Sequence, residues 1–195
     1  WTQPGGRPHA EAMALQQAGE KARGATAYVT LEPCAHASPR GPCCTELLIK
    51  AGISRVVAAL TDPDPRTAGQ GFAALRAAGI EVAEGVAAAD ARVQLAGFLS
   101  RTEKGRPLVT LKLATSLDGQ IALADGSSRW ITGERARAHA HLERARHDAI
   151  LVGRGTLERD APKLDVRLKG LEARGPQKLL LSAQSRTAPD GWTLV

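Results

Sequence analysis

Residues 25–34 read Ala25-Thr26-Ala27-Tyr28-Val29-Thr30-Leu31-Glu32-Pro33-Cys34. The β-branched and aromatic run from Ala25 to Leu31 predicts a buried strand, and it runs straight into Glu32-Pro33-Cys34. Upstream, His9 to Ala18 is alanine-rich, with Met13 and Leu15 among polar residues, and stops at Gly19. That pattern predicts a helix with His9 and Glu11 in its first turn. Downstream comes a polar loop, Ala35 to Gly41, with Pro39 and Gly41 as breakers. Pro42 suits the first turn of a helix, which carries Cys43 and ends near Gly52. Arg55 to Leu60 predicts a second strand, Asp62-Pro63-Asp64-Pro65 a turn, Gly71 to Ala78 a helix, and Ile80 to Val82 a short strand. Strands alternating with helices imply an α/β layered sheet with parallel pairing.

The composition shifts near Thr102-Glu103-Lys104-Gly105-Arg106-Pro107, which predicts two domains, 1–104 and 105–195. In the second, Leu108 to Ala114 reads as a strand, Ser116 to Gly119 as a turn and Gln120 to Ala124 as a return strand. Glu134 to Arg146 reads as a helix N-capped by Thr132. Ala149 to Val152 reads as a strand entering the glycine-rich Gly153-Arg154-Gly155-Thr156, and Lys178 to Leu181 as another.

A histidine, two cysteines and a nearby glutamate are the residue types of a catalytic zinc site. Three protein ligands, His9, Cys34 and Cys43, leave the fourth tetrahedral position open, whereas a structural zinc takes four. Glu11, two residues past the histidine, is placed to carry protons as general base and then general acid. Histidine-x-glutamate followed by proline-cysteine pairs is the pattern of zinc nucleobase deaminases, which hydrolyse an amine from a heterocycle. The spacing departs from that pattern, because eight residues rather than two separate Cys34 and Cys43. Cys44, beside a ligand, reads as inert packing pointing elsewhere on its helix.

Composition bounds the function. The 195 residues are 43% hydrophobic and 24% charged, ordinary for a globular chain. No apolar run is long enough for a membrane helix. Three cysteines, two with a metal role, do not make a disulfide framework and suit a reducing cytoplasm. The formal charge of +6 suits anionic partners, yet aromatics are only 3% and the basic residues are scattered, which disfavours a nucleic-acid stacking platform. A phosphorylated metabolite or NADPH accounts for the charge as well.

The chain resembles a known family, the bifunctional pyrimidine deaminase/reductases of riboflavin biosynthesis. The resemblance rests on His9-Ala10-Glu11, Thr30 to His36, Pro42-Cys43-Cys44 and Asp62 to Pro65. It continues through Val109 to Gly119, Ser128 to Thr132 and Ala149 to Thr156. It implies a cytidine-deaminase-like α/β/α domain followed by a dihydrofolate-reductase-like α/β domain, both expected to be incomplete in this chain. It also implies zinc on His9, Cys34 and Cys43, with Glu11 as proton donor. The first domain would deaminate 2,5-diamino-6-(5-phosphoribosylamino)pyrimidin-4-one, and the second would reduce the ribosyl group to ribityl with NADPH. Matching positions imply NADP contacts at Ala114, Trp130, Thr156 and Asp160, and substrate contacts at Ser128, Arg144, Leu164 and Arg167. Arginine forks at 144 and 167 suit a ribose-phosphate.

The chain departs from the family pattern at Arg40, a basic residue moved by one position, and at Asp64, a carboxylate in place of a neutral amide. The expected partner is a small phosphoribosylaminopyrimidine, with no nucleic acid and no membrane; a homo-oligomer is compatible with the reading. The competing readings are a tRNA or nucleoside zinc deaminase and a zinc-stabilised nucleic-acid-binding module. The second of these requires a fourth protein ligand and has no use for Glu11.

Overall fold

The computed structural model describes every residue except Ala37 and Arg40, so the displaced Arg40 lies outside the described residues. The chain forms two compact units, Trp1–Val109 and Thr110–Val195. No helix among the described residues is long and apolar enough to cross a membrane.

The first unit is built on a three-stranded parallel sheet in the order β1 (Thr26–Leu31), β2 (Arg55–Leu60), β3 (Glu81–Ala83). Thr26 pairs with Arg55 and Leu31 with Leu60, while Arg55 pairs with Glu81 on the other side. The central strand β2 is buried from Val56 to Leu60, as a parallel strand covered on both faces must be. The edge strand β1 alternates instead, with Thr26, Tyr28 and Thr30 exposed. Helices α1 (Ala10–Ala18), α2 (Cys44–Lys50) and α3 (Gln70–Ala77) accompany this sheet. Leu48, Val56, Ala58, Phe72 and Leu75 form the centre of the core, and Leu15, Ala27 and Val29 pack against it. A second cluster joins Ala59 and Leu60 to Ala91 of α4 (Ala88–Gln94) and Leu99 of α5 (Ala96–Lys104).

The second unit holds α6 (Glu134–Arg146), β4 (Ala149–Gly153), α7 (Arg154–Asp160), β5 (Gln177–Leu181) and β6 (Trp192–Leu194). Its sheet is parallel in the order β4-β5-β6, with Ala149 opposite Gln177 and Lys178 opposite Trp192.

Three local expectations are corrected here. Leu108 to Ala114 and Gln120 to Ala124 are not strands. Val109, Leu111 and Leu113 are exposed, and the segment pairs with no strand among the described residues. Alternating apolar residues supply propensity, but a strand also needs a ladder partner for its backbone groups. The turn between these segments does form, with the Gly119 amide donating to the Ser116 carbonyl. Helix α6 spans the expected residues but is capped by Gly133 rather than Thr132, with no side-chain cap. Gly153 closes β4 and caps α7, and Arg154 to Thr156 form the first turn of that helix.

Candidate metal centre

His9 is the extended N-cap residue of α1, so its ring projects ahead of the helix while Glu11 occupies the first turn. Cys34 follows β1 directly, after a proline that ends the strand. Cys44 is the first residue of α2. The ligand atoms of His9, Cys34 and Cys44 all lie within 4.8 Å of one another. His9 Nδ1 is 3.3 Å from Cys44 Sγ and 3.6 Å from Cys34 Sγ. Zinc bonds of about 2.0 Å to nitrogen and about 2.3 Å to sulfur give a tetrahedron with edges near those separations. The donor set therefore fits zinc in both chemistry and spacing.

This arrangement differs from the sequence reading at one position. Cys43, expected as a ligand, is the N-cap residue of α2 with an extended backbone; it is buried with Cys34 and Cys44, but its sulfur is not one of the three donor atoms that lie within 4.8 Å of one another. Cys44, expected to be inert packing, faces His9 and Cys34 instead. The helix begins two residues later than Pro42 suggested, at Cys44. A shift of one residue turns a side chain by about 100° around a helix axis.

The surroundings hold the cluster in place. The Cys44 amide donates to Cys34 Sγ at 3.3 Å. The Thr45 hydroxyl lies 3.0 Å from the carbonyls of both Pro33 and Cys34. Arg7 donates to the Pro42 carbonyl at 2.8 Å and reaches Cys34 Sγ at 3.8 Å. The Cys44 thiol, the Cys44 amide, and the His9 and Arg7 charges bring Cys34 down to about 4 against the effect of burial. Cys44, the donor in that pair and itself buried, is pushed upward. Burial also raises Glu11, opposed by a backbone hydrogen bond and the His9 charge. A buried carboxyl raised in this way takes up a proton more readily, as a group that serves as base and then acid must.

These residues open onto a cleft of about 1120 Å³. His9, Glu11 and Cys34 share its lining with His36, Asp62, Asp64 and Arg66, and it continues along β1. Asp64 and Arg66 form an ion pair, with Arg66 Nε 2.9 Å from Asp64 Oδ1. That guanidinium holds Asp64 well below the usual carboxylate range. The carboxylate that replaces a neutral amide thus arrives with its own counter-charge. The sequence reading missed this, although Asp64 and Arg66 stand two residues apart.

In the second unit, Arg144 on α6 donates to the Asp165 carbonyl at 3.1 Å. The Arg167 amide donates to His141 Nδ1 at 3.2 Å. Leu164 is buried with a φ of 51° and sits in the same turn. Arg144, Leu164 and Arg167 are thus brought together, and His141 joins them without having been singled out. Trp130 is 72% exposed, with the Arg137 guanidinium 4.6 Å from its ring centroid. Thr156 lies early in α7 and Asp160 ends it, whereas Ala114 and Ser128 lie outside helices and strands. Among the described residues, no hydrogen bond joins Thr156 or Asp160 to the Arg144 cluster.

Both halves match known families. Residues 2–60 match the zinc-binding region of cytidine and deoxycytidylate deaminases, and residues 107–193 match the RibD C-terminal domain. The riboflavin biosynthesis protein RibD of Escherichia coli is 45% identical over 96% of this chain. The chain belongs to the RibD family. The RibD of Aquifex aeolicus is 48% identical over 92% of the chain. Form 1 of Acinetobacter baumannii RibD superposes on 95% of the chain, with a TM-score of 0.85 and 44% identity. A Thermotoga maritima structure described as a diaminohydroxyphosphoribosylaminopyrimidine deaminase/5-amino-6-(5-phosphoribosylamino)uracil reductase also reaches 0.85, at 39% identity over 97% of the chain. The chain spans about half the length of these relatives, 54% of the Escherichia coli protein and 53% of the Acinetobacter chain. A cytidine-deaminase-like zinc region followed by a dihydrofolate-reductase-like domain is the fold expected from the RibD resemblance.

Proposed function

We propose that this RibD-family chain carries a zinc-dependent pyrimidine deaminase, residues 1–104, and an NADPH-dependent reductase, residues 105–195, acting in riboflavin biosynthesis. The deaminase would act on 2,5-diamino-6-(5-phosphoribosylamino)pyrimidin-4-one, and the reductase would convert the ribosyl group of the product to ribityl. The observation that carries the reading is the convergence of the donor atoms of His9, Cys34 and Cys44 beside a cleft that His9, Cys34 and Glu11 line. Three ligands and a neighbouring carboxyl suit catalysis. A zinc-stabilised nucleic-acid module would need a fourth protein donor, and the cluster among the described residues has three.

His9, Cys34 and Cys44 hold the metal, and a zinc bound there supplies the Lewis acidity that makes water nucleophilic near neutral pH. Glu11 accepts the proton that water gives up and delivers it to the departing amine nitrogen. The new bond joins water oxygen to the amine-bearing ring carbon, and the carbon–nitrogen bond breaks to release ammonia. The burial that raises Glu11 favours this double use. His36, Asp62, Asp64 and Arg66 offer polar groups to orient the substrate in the cleft. In the second unit, Arg144 and Arg167 are assigned to substrate phosphate, with Ser128 and Leu164 beside the sugar. Ala114, Trp130, Thr156 and Asp160 are assigned to NADPH. A cytoplasmic setting fits the three free cysteines, two of which serve as ligands only when reduced.

The test is ammonia release from the diaminopyrimidine by the zinc-loaded chain, followed by NADPH oxidation. The reading expects ammonia first, with NADPH consumed only once deaminated product is present. Absence of ammonia release from this substrate would refute the deaminase assignment.

A further inference from the structure

We propose that Glu32 is a positioning residue that fixes the far wall of the deaminase cleft, so that it governs substrate affinity without touching the reacting atoms; this rests on the deaminase reading above. Glu32 is 2% exposed at the end of β1, two residues before Cys34. A buried carboxylate is costly unless its oxygens are hydrogen-bonded, and here three backbone amides satisfy it. Its Oε2 accepts from the Asp62 amide at 3.1 Å and from the Gly69 amide at 2.9 Å. Its Oε1 accepts from the Phe72 amide at 3.1 Å. The Glu32 amide in turn donates to the Leu60 carbonyl at 2.8 Å.

The amides at 62 and 69 are the two ends of one segment, so a single carboxylate staples both. Between them lie Asp64 and Arg66, which line the cleft, and Thr67, fully buried with its hydroxyl 3.1 Å from His36 Nδ1. The Asp62 carboxylate tightens the same segment by accepting from the Asp64 amide at 2.9 Å. Gly71 allows the close approach. A Cβ there would stand 2.3 Å from the Pro33 carbonyl oxygen and 3.0 Å from Glu32 Oε1. Both partners lie in the segment that leads into Cys34, so one junction sets the metal-ligand strand against the substrate wall. The metal cluster itself makes no hydrogen bond to the Glu32 carboxylate among the described residues.

Glu32→Gln is the direct probe, because an amide of the same shape must turn an NH2 toward either Phe72 N–H or the Asp62 and Gly69 pair. In the full chain, zinc content should stay at the wild-type level and kcat for deamination should change by less than about threefold. The KM should rise about tenfold or more, the size expected when charge-assisted bonds to a segment are replaced by facing donors. A merely structural role would instead lower the active fraction, reducing kcat at constant KM, and that result would overturn the proposal. Hydrogen exchange on the wild-type chain gives an arm that does not depend on the variant's folding. The amides of Asp62, Gly69 and Phe72 should exchange at least about a hundredfold more slowly than in an unstructured peptide. Peptide-like rates at these three positions would overturn the assignment. If wild-type protein releases no ammonia, the deaminase reading fails, and the exchange arm still decides whether Glu32 holds the segment.

Discussion

The two units reach their candidate sites by opposite routes. In the first, every group that matters lies between Arg7 and Phe72, around one sheet whose core residues are almost wholly buried. In the second, Arg144 and the 164–167 turn meet, but Ala114, Ser128 and Trp130 lie on exposed segments outside the sheet. The segment with the most strand-like pattern, Leu108 to Ala114, finds no ladder. A site built from short-range motifs around one packed sheet is specified within a few dozen residues. A site gathered from several strand ends depends on the whole sheet that aligns them.

That contrast gives experiments of decreasing expected effect. Replacing Glu11 with Gln should lower deaminase turnover by about 100-fold to 10,000-fold, the range for a general acid–base residue. Bound zinc, measured by elemental analysis, should be unchanged, as should NADPH binding by the second unit. Equal losses in both activities would break the separation of the two regions. Core truncation comes next. Phe72→Ala should cost about 3–5 kcal/mol by denaturant unfolding, because its side chain is 1% exposed. Leu111→Ala, at a residue 80% exposed, should change stability by less than about 0.5 kcal/mol. A large loss from Leu111→Ala would show that this strand-like segment is packed after all.

Arg144→Ala should raise the reductase KM about tenfold to a hundredfold, the worth of a charge-assisted contact, while affecting the deaminase little. Steady-state NADPH oxidation gives the number. The smallest effect belongs to the Asp64–Arg66 pair. Its side chains are 22% and 68% exposed, so its worth to stability is within about 1 kcal/mol. Arg66→Ala should nevertheless raise the deaminase KM, because it leaves Asp64 uncompensated beside an anionic substrate. Adding Asp64→Asn to that variant should restore it. A KM unmoved by Arg66→Ala would remove the pair from the substrate wall.

Much of the first unit was legible in the sequence. The run from Ala25 to Leu31 is a strand, Arg55 to Leu60 is the buried central strand, and His9 and Glu11 flank the start of a helix. Two features were not legible, each for a local reason. The choice between Cys43 and Cys44 turns on whether α2 begins at one residue or the next, a boundary that Pro42 does not fix. Glu32 reads as an ordinary strand-end glutamate, because its amide partners at 62, 69 and 72 are thirty to forty residues away in sequence. In the second unit, periodicity identified residues able to form strands, but pairing depends on neighbours that periodicity does not name. His141 carried no signal beyond its place on a helix, three residues before Arg144.

The central claim is that zinc sits on His9, Cys34 and Cys44, beside Glu11. Zinc content of Cys43→Ser and Cys44→Ser, each purified without added metal, tests it most directly. The account predicts about one zinc per chain in Cys43→Ser, as in the wild type, and loss of zinc in Cys44→Ser. Zinc retained in Cys44→Ser and lost in Cys43→Ser would contradict it.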